Sequence, residues 1–473
     1  MLISKPKEMR IYELMILFIS FIITVELFYQ PNIDHLKSIG GWPVFSVLGF
    51  TLLGSELLVF SFVGLGMLYV MERIRRSGRV YFGPKIYSPL PFLISLCILS
   101  SFIMGVFNDG FLIQFRVMLL PAIFFIVYMN MNISLVWERY FFKIIVIGLI
   151  GLTAISLMDY FGLDYLNSFR GQSFASMIDR RQLTMVTVLT FDVAAAQLLF
   201  SRFSLRWLAV LCLSVWSFSL FIYIKSAILA VLVSCVVMFY IKVRSNRYGA
   251  IKVTMIIFMV VLLGSAIFTK TTKPFRDHVA RTVAGRYFKT DLYASEEFTL
   301  HALRYDSTGD ISSTRFDIWK AYARESLKGY GFAPYGFGYG GIFGIEVDNQ
   351  SGYVQGAHNM ILFFALNSGV MAALGLTLLI IRYTYLNMGI LSKLRPGLYD
   401  QFTREDLIAI FSFTVSIIAG SMVEGSIRNL HVAWTFWFCV AVLLKRWNIM
   451  NNSMSHMIVK KPLCSPLIKT MSN

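Results

Sequence analysis

The sequence predicts an all-α polytopic membrane protein with about twelve transmembrane helices and one large, partly helical loop outside the membrane. Three observations support this fold class. Of the 473 residues, 57% are hydrophobic and only 15% are charged, whereas an average soluble domain is about 25% charged. The apolar residues occur in runs of about 20, the length of helix that crosses a hydrocarbon core. The basic residues are distributed unevenly among the segments between these runs.

The apolar runs give the individual spans. The first run follows a basic start, but it is long for a signal peptide and no small-residue cleavage site follows it, so we interpret it as a retained span. The run from 205 to 244 is too long for one crossing, because about 36 helical residues at about 1.5 Å each reach about 54 Å. We therefore predict two helices with a turn near residues 223–226. The predicted spans are 12–30, 43–71, 88–107, 111–131, 140–158, 183–200, 206–222, 225–241, 253–269, 358–382, 406–422 and 430–446.

The charge distribution predicts the orientation and the domain organisation. With the N-terminus inside, about 25 of the 43 basic residues fall in inside segments and about six in short outside loops, as the positive-inside rule requires. Both termini are then cytoplasmic, and the net charge of +17 needs no nucleic-acid partner. Residues 1–269 hold spans one to nine, 270–357 the external loop, 358–447 spans ten to twelve, and 448–473 a cytoplasmic tail.

The external loop divides into three parts. Its first third is basic with apolar residues four apart, which is typical of an amphipathic helix on the membrane surface. The stretch SSTRFDIWKAYARESLKGY predicts a second helix. The glycine and aromatic run that follows contains GxGxxG at Gly336, Gly338 and Gly341, but no strand precedes it, so a dinucleotide site is not indicated. We expect a tight, irregular loop that faces sugar or packs against the spans.

Chemistry is indicated where ionisable residues meet the predicted outer membrane face. The sequence lacks GxxxxGK[ST], HExxH, GxSxG and CxxC motifs, so ATP-driven transport, zinc hydrolysis and serine hydrolysis have no sequence support. Charged residues within spans are functional or fasten helices through salt bridges, for instance Glu56 with Arg116. The other such residues are Glu26, Asp192 and Lys225.

Three arginines in a predicted outside loop, Arg170, Arg180 and Arg181, depart from the positive-inside rule. The guanidinium group presents a planar fork of donors that matches phosphate oxygens. These arginines are therefore candidates for binding either the diphosphate of a lipid-linked substrate or phospholipid headgroups.

The end of the loop carries a family resemblance. Arg315 and Trp319 stand four apart, the run GFGYG follows, His358 and Asn359 open a span, and a Ser-Gly step comes later in that span. This pattern resembles the O-antigen ligase and polymerase superfamily of bacterial envelope glycosyltransferases. Many members carry Ser-Arg at the outer turn between spans seven and eight, where this chain has Lys-Ser at 225–226. The charge is kept there, but the bidentate fork is lost.

The resemblance implies a GT-C-like arrangement and metal-independent, inverting transfer of a glycan from an undecaprenyl diphosphate carrier, without a cofactor, on the periplasmic side of the bacterial inner membrane. Fixed cations stabilise the negative charge that develops on the leaving diphosphate, and the candidates are Arg315, Arg170, Arg180, Arg181 and Lys225. His358 is the expected base for the acceptor hydroxyl. Glu424 is an alternative base, and Asn359 and Trp319 support the site.

Two activities of this superfamily are alternatives here, and a function of another class is a third. A polymerase adds a lipid-linked glycan to the next lipid-linked repeat unit, and a ligase transfers it to lipid A core. We favour the polymerase, since the chain is long and departs from the Ser-Arg step. A flippase is disfavoured because an 88-residue one-sided loop indicates surface chemistry. The expected partners are the undecaprenyl-diphosphate-linked oligosaccharide, membrane lipids, a chain-length regulator and a flippase.

Overall fold

The computed structural model is mostly α-helical over the residues that it describes. Those residues are 43–47, 50–77, 81, 83–108, 111–130, 135–160, 180–201, 203–220, 225–245, 311–339, 342–347, 350–355, 359–399, 402–424 and 430–459. The predicted spans at 12–30 and 253–269, the predicted amphipathic helix that opens the external loop, and most of the tail lie outside them.

The helices follow one another along the whole described chain, and three short antiparallel strand pairs lie between them. The helices are α1 (Gly54–Ser77), α2 (Leu90–Gly105), α3 (Phe111–Gln114), α4 (Leu120–Asn130), α5 (Leu135–Tyr160), α6 (Arg180–Phe200), α7 (Leu205–Leu220), α8 (Lys225–Ser245), α9 (Ile311–Leu327), α10 (Met360–Ser368), α11 (Val370–Lys393), α12 (Arg404–Glu424) and α13 (Leu430–Val459). A π-helical turn, Phe115–Leu119, joins α3 to α4, and a short 3-10 turn, Lys85–Tyr87, precedes α2. The strands are β1 (Pro43–Val47) with β2 (Phe50–Leu53), β3 (Ile342–Val347) with β4 (Gln350–Gln355), and β5 (Leu398–Tyr399) with β6 (Phe402–Thr403).

Several predicted spans are helices within a few residues of their expected bounds, and two are corrected. The division of 205–244 into two helices is confirmed by α7 and α8. The span expected at 43–71 begins with the β1–β2 hairpin, and its helix starts only at Gly54. The span expected from 358 is two helices, because the chain breaks at Gly369, where φ is 93°. The β3–β4 hairpin in the predicted external loop was not expected either, but the described residues are mostly helical, as the all-α prediction requires.

Helix α12 lies at the centre of the described chain and packs against α6, α8 and α13. Its start is fixed by a capping box, in which the Asp406 amide donates to Thr403 Oγ1 and the Thr403 amide donates to Asp406 Oδ2. Midway along, buried Asp192 of α6 accepts from Ser234 Oγ of α8, which lies 2.9 Å from Ser412 Oγ of α12. The acid within this predicted span therefore fastens three helices through hydroxyl groups.

Two helices of the described chain are long and apolar enough to cross a membrane. They are α11 over its full length and α12 from Arg404 to Met422. Large apolar side chains are also exposed on one face of α2 and on α11. A soluble monomer rarely exposes contiguous apolar patches beyond a few hundred Å². The exposed residues of these two helices are Phe92, Leu93, Leu96, Leu99, Ile103, Met104, Met371, Leu374, Leu378, Ile381 and Tyr385.

Candidate functional site

Asn359 fixes the start of α10 and ties it to the end of α12. Its side-chain oxygen accepts from the Leu362 amide at 3.1 Å, the N-cap geometry that satisfies an otherwise unpaired helix donor. Its Nδ2 donates to the Met422 carbonyl at 3.0 Å. Glu424 ends α12 two residues after Met422. The neighbour of Asn359, His358, lies outside the described residues.

Helix α9 carries Arg315 and Trp319 alongside α10. Ile318 and Tyr322 of α9 form a buried cluster with Phe363 of α10, and Trp319 packs against this cluster. Arg315 lies one turn before Trp319 in α9, and its side chain is outside the described part of the structure. The predicted Arg-Trp pair is thus held on a helix that packs directly against the helix opened by Asn359.

The direction of the central helices places further candidate positions. Gln197 Nε2, near the end of α6, donates to Asp406 Oδ1 in the first turn of α12 at 3.3 Å. Lys242 in the last turn of α8 and Arg404 at the start of α12 lie over the ring of Phe200, the last residue of α6. Helices α6 and α8 therefore run antiparallel to α12. We name the end where α12 begins the lower end, and the end where it terminates the upper end.

The upper end collects the termini of four helices that carry predicted site residues. Helix α6 begins with Arg180 and Arg181, α8 begins with Lys225, and α12 ends with Glu424. Asn359 starts α10 at the same end through its bond to α12. The side chains of these four charged residues lie outside the described part, and so does the whole of Arg170. The backbone brings the helix termini to one end of the molecule, and side-chain contacts there remain a prediction.

The glycine and aromatic run forms a loop, residues 328–339, that packs onto the helices. The Phe337 amide donates to the Ser101 carbonyl of α2 at 2.7 Å. Asn108 Nδ2 donates to the carbonyls of Tyr335 and Phe337 at 3.0 and 2.9 Å. The loop is therefore held by its backbone, and the packing alternative of the sequence-based expectation is the one that the structure bears out.

Two glycines outside this loop allow its close approach. A Cβ atom on Gly105, the last residue of α2, would lie 2.0 Å from the Phe337 carbonyl oxygen. A Cβ atom on Gly369 would lie 2.5 Å from the Gly331 carbonyl oxygen, and its φ of 93° also disfavours other residues. The loop thus packs against the break between α10 and α11.

A buried asparagine of α10 also bonds to the loop. Asn367 of α10 is fully buried, and its Oδ1 accepts from the Gly338 amide at 3.2 Å. Its Nδ2 donates to the Phe363 carbonyl at 3.0 Å. Burial of an amide side chain is favourable only when its donors and acceptor are paired, so Asn367 fixes the loop relative to α10.

An apolar cavity of about 290 Å³ lies below the loop. Helices α2 and α11 each contribute a face with i, i+3, i+4, i+7 spacing, the pattern of residues that share one side of a helix. The α2 residues are Pro91, Ile94, Ser95 and Ile98, and the α11 residues are Leu376, Leu379, Ile380 and Tyr383. Phe337 of the loop and residues of the 3-10 turn, the π-helical turn, α4, α10, α12 and α13 complete the lining.

The cavity reaches the residues that follow Asn359, the supporting residue next to the predicted base His358. Met360, which follows Asn359, lines the cavity, as do Phe363 and Phe364 of α10. Ser368 at the end of α10 also lines it; this residue is fully buried, and its Oγ has no hydrogen-bond partner in the described part of the chain. The cavity therefore offers a long apolar space with an unpaired hydroxyl near its upper part.

A charged cluster fastens the loop to α9 at the protein surface. Glu325 Oε2 accepts from Lys328 Nζ at 2.7 Å and from Tyr335 Oη at 2.6 Å. The bond from Lys328, followed by the bond from Tyr335, lowers the pKa of the Glu325 carboxyl. The same contact raises the pKa of Tyr335. The ionised carboxylate thus holds both partners at neutral pH.

Sequence reasoning did not identify Asn108, Asn367, Phe337 or the apolar cavity. An available signal was the position of each asparagine beside the end of an apolar run, where an amide is costly unless it is paired. No local sequence pattern predicts the cavity, because its lining residues belong to spans far apart in sequence.

Comparison with known proteins adds no family, since no family model, curated protein or solved structure matches this chain.

Proposed function

We propose that the chain is a bacterial inner-membrane glycosyltransferase that polymerises lipid-linked oligosaccharide repeat units on the periplasmic face. The proposal rests on one observation above the others. The apolar cavity between α2 and α11 is lined by Met360, the residue that follows the predicted base His358 and the supporting residue Asn359. A lipid-linked glycan needs such an arrangement, with an apolar space for its tail next to polar groups for its headgroup.

The bilayer is the expected environment for about twelve spans. Helices α11 and α12 have the required length and apolar character. The outward face of α2 exposes large apolar side chains, which hydrocarbon would cover. The positive-inside rule favours cytoplasmic termini, and in this proposal the upper end faces the periplasm.

The cavity suits the part of the polyprenyl tail nearest the headgroup. At about 290 Å³ it is at the small end of ligand pockets, which span about 300–1,000 Å³. It would hold the first isoprene units, while the remaining units extend into the bilayer. Phe337 lines the cavity on the loop side, where it would separate the tail from the glycan.

The chemistry belongs to the upper end. The acceptor hydroxyl oxygen attacks the anomeric carbon, and the bond from that carbon to the diphosphate oxygen breaks with its electron pair going to the diphosphate. The acceptor proton passes to His358, with Glu424 as the alternative base. Arg315, Arg170, Arg180, Arg181 and Lys225 are the cations proposed to stabilise the diphosphate.

The test uses the purified full chain with lipid-linked repeat units, with and without lipid A core. A ladder of longer lipid-linked glycans without core supports the polymerase. Transfer that occurs only with core overturns the polymerase in favour of a ligase. Absence of any glycosidic product, with lipid movement across vesicles instead, would favour a flippase and reject the enzyme.

Two variants with matched controls connect the activity to the proposed residues. His358→Ala and Arg315→Ala are expected to abolish ladder growth while the protein remains in the membrane. His456→Ala, near the opposite end of the long helix α13, and Arg324→Ala, an exposed arginine on the same helix as Arg315, are expected to retain it. Wild-type activity in either test variant would remove that residue from the site.

A further inference from the structure

Two buried or half-buried cations meet at the lower end, away from the proposed transferase site. Lys242 Nζ of α8 lies 5.1 Å from the ring centroid of Phe200, and the Arg404 guanidinium carbon of α12 lies 5.3 Å from the same centroid. Three helices, α6, α8 and α12, therefore present two positive charges around one aromatic ring.

Among the described residues, two nitrogen atoms of the buried Arg404 lack the partners that a buried guanidinium needs. Its side chain belongs to a residue only 6% exposed. Its Nε and Nη2 atoms are shielded from solvent and have no hydrogen-bond partner among the described residues. An aromatic ring attracts a cation, but it does not accept directional hydrogen bonds from several N–H groups as an oxyanion does.

The acids near Arg404 in the described part of the chain do not pair with these donors. Asp406 is engaged by the Thr403 amide and by Gln197. Glu405 is close enough to act electrostatically on both cations, yet neither forms an ion pair with it within 4 Å in the described part of the chain. Among the described residues, Lys242 donates one bond, to the Leu199 carbonyl, and two of its three ammonium donors are left for another group.

We propose that Arg404 and Lys242 form a binding site for the phosphate of an anionic phospholipid at the lower membrane face. A phosphodiester supplies the oxygen acceptors that Arg404 Nε and Nη2 lack. Exposed apolar side chains follow the end of α6 in sequence, at Phe203 (64% exposed) and Leu205 (74%), and they suit acyl chains. These neighbours favour a lipid headgroup over a free phosphate ion.

This site rests on the chain lying in a bilayer and not on glycosyl transfer, so the two proposals fail separately. A basic pocket between helices at the membrane face is a common form of headgroup site. Bound lipid would hold the ends of α6, α8 and α12 together at the lower end.

The test compares lipids on the purified full chain in detergent, by native mass spectrometry and by thermal unfolding. Phosphatidylglycerol is expected to bind at least tenfold more tightly than phosphatidylcholine and to raise the unfolding temperature. Arg404→Gln and Lys242→Gln should each weaken phosphatidylglycerol binding about tenfold. Lys393→Gln, an exposed lysine at the end of α11, is the matched control and should leave binding unchanged.

The outcomes that overturn the site are distinct. Equal binding of the two lipids, or wild-type binding by both glutamine variants, would reject it. Competition by millimolar inorganic phosphate, with no preference for phosphatidylglycerol, would reject the lipid as the ligand. Without added lipid, Arg404→Gln should unfold at the wild-type temperature or above, because the substitution removes a buried, unpartnered charge; a lower temperature would assign Arg404 a structural role instead.

Discussion

The lower and upper ends of the helical bundle are held together by different forces. At the lower end, Glu138 Oε1 lies 3.0 Å from Lys445 Nζ, and Glu138 Oε2 lies 2.6 Å from Arg446 Nη2. Both Glu138 and Arg446 are fully buried. At the upper end, the loop 328–339 is held mainly by backbone hydrogen bonds, asparagine amides and close glycine contacts. Changes at the lower end should therefore impair folding, whereas changes at the upper end should impair the site first.

The largest expected effect is loss of the lower-end carboxylate. Glu138→Ala removes the buried carboxylate that pairs with Lys445 and Arg446, which should lower the free energy of unfolding by about 3–5 kcal/mol. The exposed pair of Glu72 with Arg75 gives the matched control, since Glu72→Ala should cost about 0–1 kcal/mol. Chemical unfolding in detergent measures both changes. Equal losses in the two variants would contradict the view that buried ion pairs hold the lower end.

The next effect tests the close fit of the upper end. Gly105→Ala places a Cβ atom against the Phe337 carbonyl, which should cost about 1–3 kcal/mol and reduce glycan transfer at least tenfold. The Gly389→Ala control on α11 meets no atom within 4 Å and should retain full transfer. Transfer assays on both proteins in membranes provide the measurement. Undiminished transfer by Gly105→Ala would show that close packing of the loop against α2 is not needed for activity.

A smaller effect separates the two roles of Asn359. Asn359→Ala removes the helix cap and should lower the free energy of unfolding by about 1 kcal/mol. Asn359→Ser restores a capping oxygen but not the bond to the Met422 carbonyl. Thermal unfolding should therefore recover in the serine variant, while transfer stays reduced in both. Full transfer by the serine variant would assign Asn359 to capping alone.

The smallest effect is the pH dependence of the surface cluster. Hydrogen bonds from Lys328 and Tyr335 hold the pKa of Glu325 below its usual value of about 4.3. The stabilisation is thus present above the unfolded-state pKa and is lost as pH falls through the lower folded-state pKa. Tyr335→Phe should cost roughly 1 kcal/mol or less at pH 7 and flatten this acid dependence. Unfolding curves from pH 7 to pH 3 would reveal it; identical profiles for the two proteins would exclude the Tyr335 contribution.

Much of the helical pattern could be predicted from the sequence, because apolar runs of about 20 residues carry a strong signal. The hairpin at 43–53 was predicted as part of a span, because its apolar composition suits a strand as well as a membrane helix. The break at Gly369 was not predicted, because a single glycine within an apolar helix is often tolerated. The structure explains this break by the loop that packs against it, a contact between segments about 40 residues apart.

The candidate site was predictable at the level of residues but not of their surroundings. The sequence identified Asn359 and Trp319 as candidates. The structure places Asn359 at the upper end and Trp319 on α9, which packs against the helix that Asn359 starts. The amides of Asn108 and Asn367 escaped prediction because their partners are backbone groups of the glycine loop. Such pairings depend on tertiary contacts that local patterns do not encode.

The most direct test of the proposed function is photo-crosslinking with a polyprenyl-diphosphate-linked oligosaccharide that carries a diazirine on an isoprene unit near the diphosphate. Peptide mapping should find label on cavity-lining Ile94, Ile98 and Leu376, and unlabelled lipid-linked glycan should compete it away. The outward-facing residues Leu99 and Ile103 of the same helix α2 should carry only label that resists competition. Competable label spread equally over both faces of α2, or none in the cavity, would contradict the account.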